Sequence, residues 1–142
     1  MTSARTQDVK PKSLLLCLLF VTLGCDEMPS GPTVALSERF TLAPGESARI
    51  DSSQVRLEFT DVTGDSRCPA DAICIQGGDA VVRVRATAGS AASTLELHTG
   101  DSTRAASTFQ GLRVELMELQ PYPFSSRTIA PGDYRATLRV TQ

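Results

Sequence analysis

From residue 34 onward apolar side chains recur at every second position, and a chain with that period buries one face only as a β-strand. Val34, Leu36, Phe40 and Leu42 alternate with Ala35, Ser37, Arg39 and Thr41 until Pro44-Gly45 marks a turn. Ala48 and Ile50 predict a short second strand. Val55, Leu57 and Phe59 predict a third, with Gln54, Arg56 and Glu58 on its wet face. The same rule gives a fourth from Ala80, Val82, Val84 and Ala86 against Arg83 and Arg85, and a fifth from Leu95 and Leu97 with His98 on the outward phase. Leu112, Val114 and Leu116 define a sixth against Arg113 and Glu115, and Tyr134, Ala136, Leu138 and Val140 a seventh against Arg135 and Arg139. No segment between them carries the period of a long amphipathic helix.

Seven short strands separated by turn residues predict one all-β domain over residues 34–142, an antiparallel β-sandwich of immunoglobulin-like type. A small β-barrel also buries one face of every strand and is the alternative. A domain of this size buries roughly two-thirds of its chain's surface, so it needs no second domain to hold it together.

The amino terminus carries a different message. Arg5, Lys10 and Lys12 stand against Asp8 and precede the apolar run LLLCLLFVTL, which ends at Gly24-Cys25 and the acids Asp26 and Glu27. A basic start and an apolar run about half the ~20 residues a spanning helix needs are the layout of a secretory signal. Thr22-Leu23-Gly24-Cys25 resembles the lipobox of bacterial lipoproteins, in which a small residue precedes a cysteine that is lipidated on sulfur. The resemblance implies removal of residues 1–24, a lipid on Cys25, and a protein exported to the bacterial cell envelope and held at a membrane surface, since two acyl chains suffice for stable anchoring. Residues 25–33 then form a linker, and its prolines, glycine and lack of large aliphatic residues other than Met28 suit that role.

With Cys17 in the signal and Cys25 at the lipid site, Cys68 and Cys74 are the thiols left to the domain, within SRCPADAIC. An exported pair normally closes to a disulfide. Zinc wants four ligands, and the mature chain supplies two thiols and the single histidine His98. A redox pair would be Cys-x-x-Cys at a helix start, whereas here five residues intervene and a proline follows the first cysteine. The pair therefore reads as a structural staple, with no metal and no cofactor expected.

The mature chain has eleven arginines and no lysine against fifteen acids, and the arginines are scattered, so nothing tracks phosphates and nucleic acid is not an expected partner. Asp61, Asp65, Asp71 and Asp79 surround the cysteine loop, but their spacing matches no calcium loop and aspartate is a common turn former. Gly-Asp-Ser occurs at residues 64–66 and 100–102. A serine nucleophile needs a base and an orienting acid, and neither serine lies on a strand-turn-helix elbow, so an enzyme is not expected.

The stretch DSRCPADAICIQGGDA, residues 65–80, resembles a motif of small uncharacterised exported proteins and lipoproteins of bacteria: Asp-Ser-Arg-Cys-Pro, a second cysteine, an apolar residue and a glycine before a strand. IAPGDYRATLRV, from Ile129, resembles the last strand of the same family. The resemblance covers most of residues 34–142 and implies a secreted β-domain with no established activity.

The candidate binding loop is Asp65, Arg67, Asp71, Tyr122 and Phe124. Arg67 beside a small disulfide ring is placed as a protease inhibitor would place its reactive residue. The opposing expectation is a surface pair with Asp65 or another loop acid, nearly neutral in energy, whose loss would barely change stability. In QPYPF, residues 120–124, two prolines stiffen two aromatic rings into a contact surface or a cap on the sandwich. The expected function is a lipid-tethered binding or structural module whose partner is an envelope protein or polymer. An inhibitor of exported proteases is the alternative, and an enzyme comes third.

Overall fold

The structure, a computed structural model, describes residues 31–142. The expected signal segment, the expected lipid site at Cys25 and most of the expected linker lie outside the described residues. Among the described residues nine strands form in chain order: β1 (Thr33–Val34), β2 (Arg39–Leu42), β3 (Ser47–Ile50), β4 (Val55–Asp65), β5 (Ala80–Ala88), β6 (Ala91–His98), β7 (Ala106–Phe109), β8 (Leu112–Gln120) and β9 (Arg135–Thr141). One 3-10 turn, Pro131–Asp133, precedes β9.

The first sheet has the order β1-β3-β4-β5-β6 and the second β2-β9-β8-β7, and the two are not closed into a barrel. The fold is a β-sandwich. Its two-layer build is what it shares with immunoglobulin domains. Within each layer the antiparallel neighbours from β3 to β6 and from β7 to β9 follow chain order, each joined by the next connection.

Alternation decides which side of each strand is dry. Ile50, Leu57, Phe59, Val82, Val84 and Leu97 from the first sheet meet Leu42, Val114, Leu138 and Val140 from the second, all fully buried. Burial of each such side chain contributes about 1.5–3 kcal/mol. This core closes within residues 34–140, so the described segment carries its own fold. On the outward faces Arg83 lies near Asp61 and Glu96, and Arg139 meets Glu115 at 2.7 Å.

The strands differ from the seven expected in three ways, two that add a strand each and one that lengthens β4. The expected first strand is two: Ser37 takes a left-handed conformation, with φ of 68°, and the chain steps from β1 in one sheet to β2 in the other. Val34 and Leu42 thus reach one core from opposite sides. β4 continues past Phe59 to Asp65 because bulges at Phe59/Asp61 and Val62/Gly64 shift its phase, which hides the extension from a period-two reading. β7 is joined to β8 by Gln110-Gly111, both at positive φ (51° and 78°), the conformation of a two-residue primed hairpin turn.

Candidate functional site

β4 and β8 end at the same pole of the sandwich, and the two loops that leave them, residues 66–79 and 121–130, pack on each other there. The feet of the cysteine loop are locked first. Ser66 N–H donates to the Asp79 carbonyl at 2.7 Å, and the Ser66 hydroxyl donates to that carbonyl and accepts the Asp79 N–H.

Just inside the feet, Asp65 accepts from Arg67 on both oxygens, Nε to Oδ1 at 2.9 Å and Nη2 to Oδ2 at 2.6 Å. β7 pairs with β8 only as far as Glu115. Beyond it, Arg67 donates to the carbonyls of Leu119 at 2.6 Å and Pro121 at 2.9 Å. The Tyr134 hydroxyl donates to Asp65 Oδ2 at 3.1 Å, and the Tyr122 ring lies against the guanidinium, 5.3 Å from its centre. One arginine therefore ties the end of the first sheet to the end of the second. Burial alone would raise the Asp65 pKa, but the bonds and charge of Arg67 and the Tyr134 hydroxyl outweigh it and hold the carboxyl below its ordinary value. Tyr134 is pushed up, by burial first and then by the Asp65 charge and bond.

The surface pair expected for Arg67 is therefore corrected. Arg67 is 8% exposed, with all three guanidinium nitrogens engaged. An inhibitor inserts its arginine into a protease pocket; this one is spent on its own chain's carbonyls and carboxylate.

Outside that anchor the cysteine ring projects. Cys68 and Cys74 are joined by a disulfide with Cα atoms 6.0 Å apart. The ring docks on the neighbouring loop through Ala70 N–H to the Pro123 carbonyl at 2.9 Å, and Asp71 Oδ1 accepts from the Ser125 N–H at 2.8 Å and its hydroxyl at 3.1 Å. Those two bonds, the backbone one first, hold Asp71 below the usual carboxylate range. The loops are thus one body.

The structure brings Asp65, Arg67, Asp71, Tyr122 and Phe124 to this pole, with Asp65 and Arg67 at its base and the other three toward its rim. What sequence reasoning missed is Ile73 and Ile75. Both flank Cys74 and are fully exposed, at 103% and 104% of reference. With Tyr122 and Phe124, about half exposed, they make up every large exposed hydrophobic among the described residues. The signal was available: two isoleucines in a loop too rich in Asp, Pro and Gly to form a strand have no sheet to bury them.

A second cluster lies beside the first. Pairing with Val81 keeps His98 on the outward phase, but it is only 7% exposed rather than open to water. The connection to the second sheet folds back on it, His98 N–H donating to the Arg104 carbonyl at 3.0 Å, and Asp79 Oδ2 holds its Nδ1 at 2.6 Å. Partial burial raises Asp79, yet the bonds from His98, Gly100 and Thr99 and the charge of His98 leave it below its ordinary pKa. His98, Arg67, Leu119 and Tyr122 border an open hollow of about 360 Å³. Ser66 is committed to the backbone of Asp79, and Ser102 lies in an exposed turn; among the described residues no hydrogen bond joins either to His98. Nor does any group of three His, Cys, Asp or Glu among the described residues form a metal set. No helix among them is long and apolar enough to cross a membrane.

No protein-family model, curated protein or solved structure matches this chain.

Proposed function

We propose that this chain is an exported, lipid-tethered β-sandwich of the bacterial cell envelope that acts by binding, with the cysteine-loop pole as its contact surface. The observation that carries the reading is the gathering of Ile73, Ile75, Tyr122 and Phe124 on two loops locked to each other. Apolar side chains left in water cost free energy, and a surface that collects them at one place marks a contact site. The disulfide and the Asp71–Ser125 bonds hold that site in shape before contact, so binding carries little ordering cost. The lipobox-like Thr22–Cys25 and the apolar run before it support the tether.

Two measurements test the two halves. In a bacterial host the full chain labels with palmitate and Cys25→Ala removes the label; a label that survived would remove the tether. A photoreactive residue placed at Ile73 or Tyr122 in intact cells gives defined adducts, whereas one at exposed Thr94 on β6 does not. Adducts at both places alike, or at neither, would remove the contact surface.

A further inference from the structure

We infer that the occupant of this pole is the phospholipid bilayer itself, so that Ile73 and Ile75 enter the membrane surface to which the chain is tethered. The inference rests on the binding reading above and names its partner.

Shape argues first. Ile73 and Ile75 expose as much surface as in an extended peptide, so no neighbouring wall stands beside them. A protein partner would have to supply the whole pocket for such a convex tip. A bilayer interface accepts one without complementary shape, burying the aliphatic ends among the upper acyl carbons. Tyr122 and Phe124, half-exposed on the loop that docks on the ring, are of the residue type that partitions between headgroups and chains. Asp71, the carboxylate within the cysteine ring, is bonded to Ser125. Exposed Arg127, whose N–H donates to the Phe124 carbonyl at 3.0 Å, puts a cation on the same loop and suits headgroup phosphates.

The path of the chain argues second. β1 pairs parallel with β3, Thr33 opposite Arg49 and Val34 opposite Ile50, while β4 runs antiparallel to β3 toward the cysteine loop. Followed backwards from Val34, the chain therefore heads toward the isoleucine pole. It is already alongside Ser47 at Gly31, where a Cβ would meet the Ser47 carbonyl. Ser47 pairs with Glu58, Glu58 with Arg85, and Asp65 with Ala80, so the distance still to climb is that from Arg85 to Ala80 on β5, about 17 Å at strand rise. The covalent chain from residue 31 to 25 spans at most ~20 Å. A fully extended chain of that length is thus long enough to bring residue 25 level with Asp65, at the isoleucine end of the domain.

The test uses residues 31–142, which contain the whole core, and vesicles of phosphatidylethanolamine and phosphatidylglycerol. The chain has no tryptophan, so Ile73→Trp gives a single reporter. Its emission should shift to the blue on vesicle addition and be quenched by lipids brominated near the headgroup. Ile73→Asp with Ile75→Asp, at positions that pack on nothing, should fold normally and lower the partition coefficient of the unlabelled domain at least tenfold, since an exposed isoleucine's transfer is worth about a factor of ten. Thr94→Asp should leave it unchanged. No blue shift at millimolar lipid, or equal partition of the double-aspartate variant, would overturn the inference, as would a photoadduct from position 73 that is protein and not lipid. Because this domain lacks Cys25, its partition is read independently of palmitate labelling, so the tether and the apolar tip can each fail alone.

Discussion

The Asp65 carboxylate holds the Arg67 guanidinium with both oxygens while the same guanidinium reaches across to the carbonyls of Leu119 and Pro121 in the other sheet. The two side chains are about 10% exposed or less, so water does not replace a missing partner.

Removing Arg67 therefore acts on stability. Arg67→Ala leaves the Asp65 carboxylate without its opposite charge, with only the Tyr134 hydroxyl and the residue-67 N–H still donating to it, and takes the guanidinium from the carbonyls of Leu119 and Pro121, a loss of about 3–5 kcal/mol by comparison with broken buried pairs. Arg67→Lys should recover only part of it, because an ammonium cannot donate in the fork geometry that Asp65 receives. Urea unfolding of the three proteins checks this. Equal midpoints for wild type and Arg67→Ala would return the pair to the near-neutral class of surface contacts.

The same network sets the pH range of the fold. Asp65 titrates below its ordinary 3.8 when folded. The folded state thus binds fewer protons than the unfolded chain, and the stabilisation is complete above that value and lost as pH falls through the lower folded pKa. Asp79 and Glu115 are lowered too, and the Thr103 and Arg104 bonds bring exposed Asp101 down to about 2, so the acid limb is shared. Tyr134 has the opposite sign: raised above 10.0, its contribution is complete below pH 10 and is lost as pH rises through the folded value. Stability measured by urea should be flat near neutrality, fall below about pH 4 and fall again above about pH 10. Asp65→Asn should shrink the acid limb and Tyr134→Phe should remove the alkaline one. An unchanged alkaline limb in Tyr134→Phe would take that tyrosine out of the network.

The Cys68–Cys74 ring closes a short loop, so cross-linking removes little entropy from the unfolded chain, about 2 kcal/mol by the loop-closure argument. Replacing both cysteines by alanine should cost that much and leave cooperative unfolding, since the core lies elsewhere. The local effect should be larger. Amides of residues 69–75 should exchange faster in the variant while those of β4 and β5 keep their protection. Alkylation of exported protein without reductant should find neither thiol free.

Much of the sandwich is legible because from Ala80 to Ala86 and from Tyr134 to Val140 every second residue is buried without a break. It fails where backbone geometry, rather than side-chain chemistry, changes phase. The bulges in β4 and the Ser37 step leave no mark in an apolar pattern. The site divides in the same way. Aspartates, an arginine and two aromatics near the cysteines point to this pole. That Arg67 is buried depends on β8 ending beside β4, a pairing of residues 52 apart with no local signal. His98 shows the reverse limit: the outward phase is right, but a connecting segment covers it.

Gly77 and Gly78 stand side by side before β5, and the sequence does not distinguish them. The structure does. A Cβ on Gly77 would meet nothing within 4 Å, whereas one on Gly78 would fall 1.5 Å from the Ser66 carbonyl oxygen, backbone that cannot swing aside as a side chain does. Neither glycine sits at positive φ, so the difference is one of space alone. Gly78→Ala must push the two feet of the cysteine loop apart, at the expense of the Ser66–Asp79 bonds, and should cost about 1–3 kcal/mol, the range of overpacked sites. Gly77→Ala should stay within about 0.5 kcal/mol, as for other open surface positions. Thermal unfolding of the two single variants decides it. Equal midpoints would mean that the loop's feet are not held together as the Ser66–Asp79 bonds require.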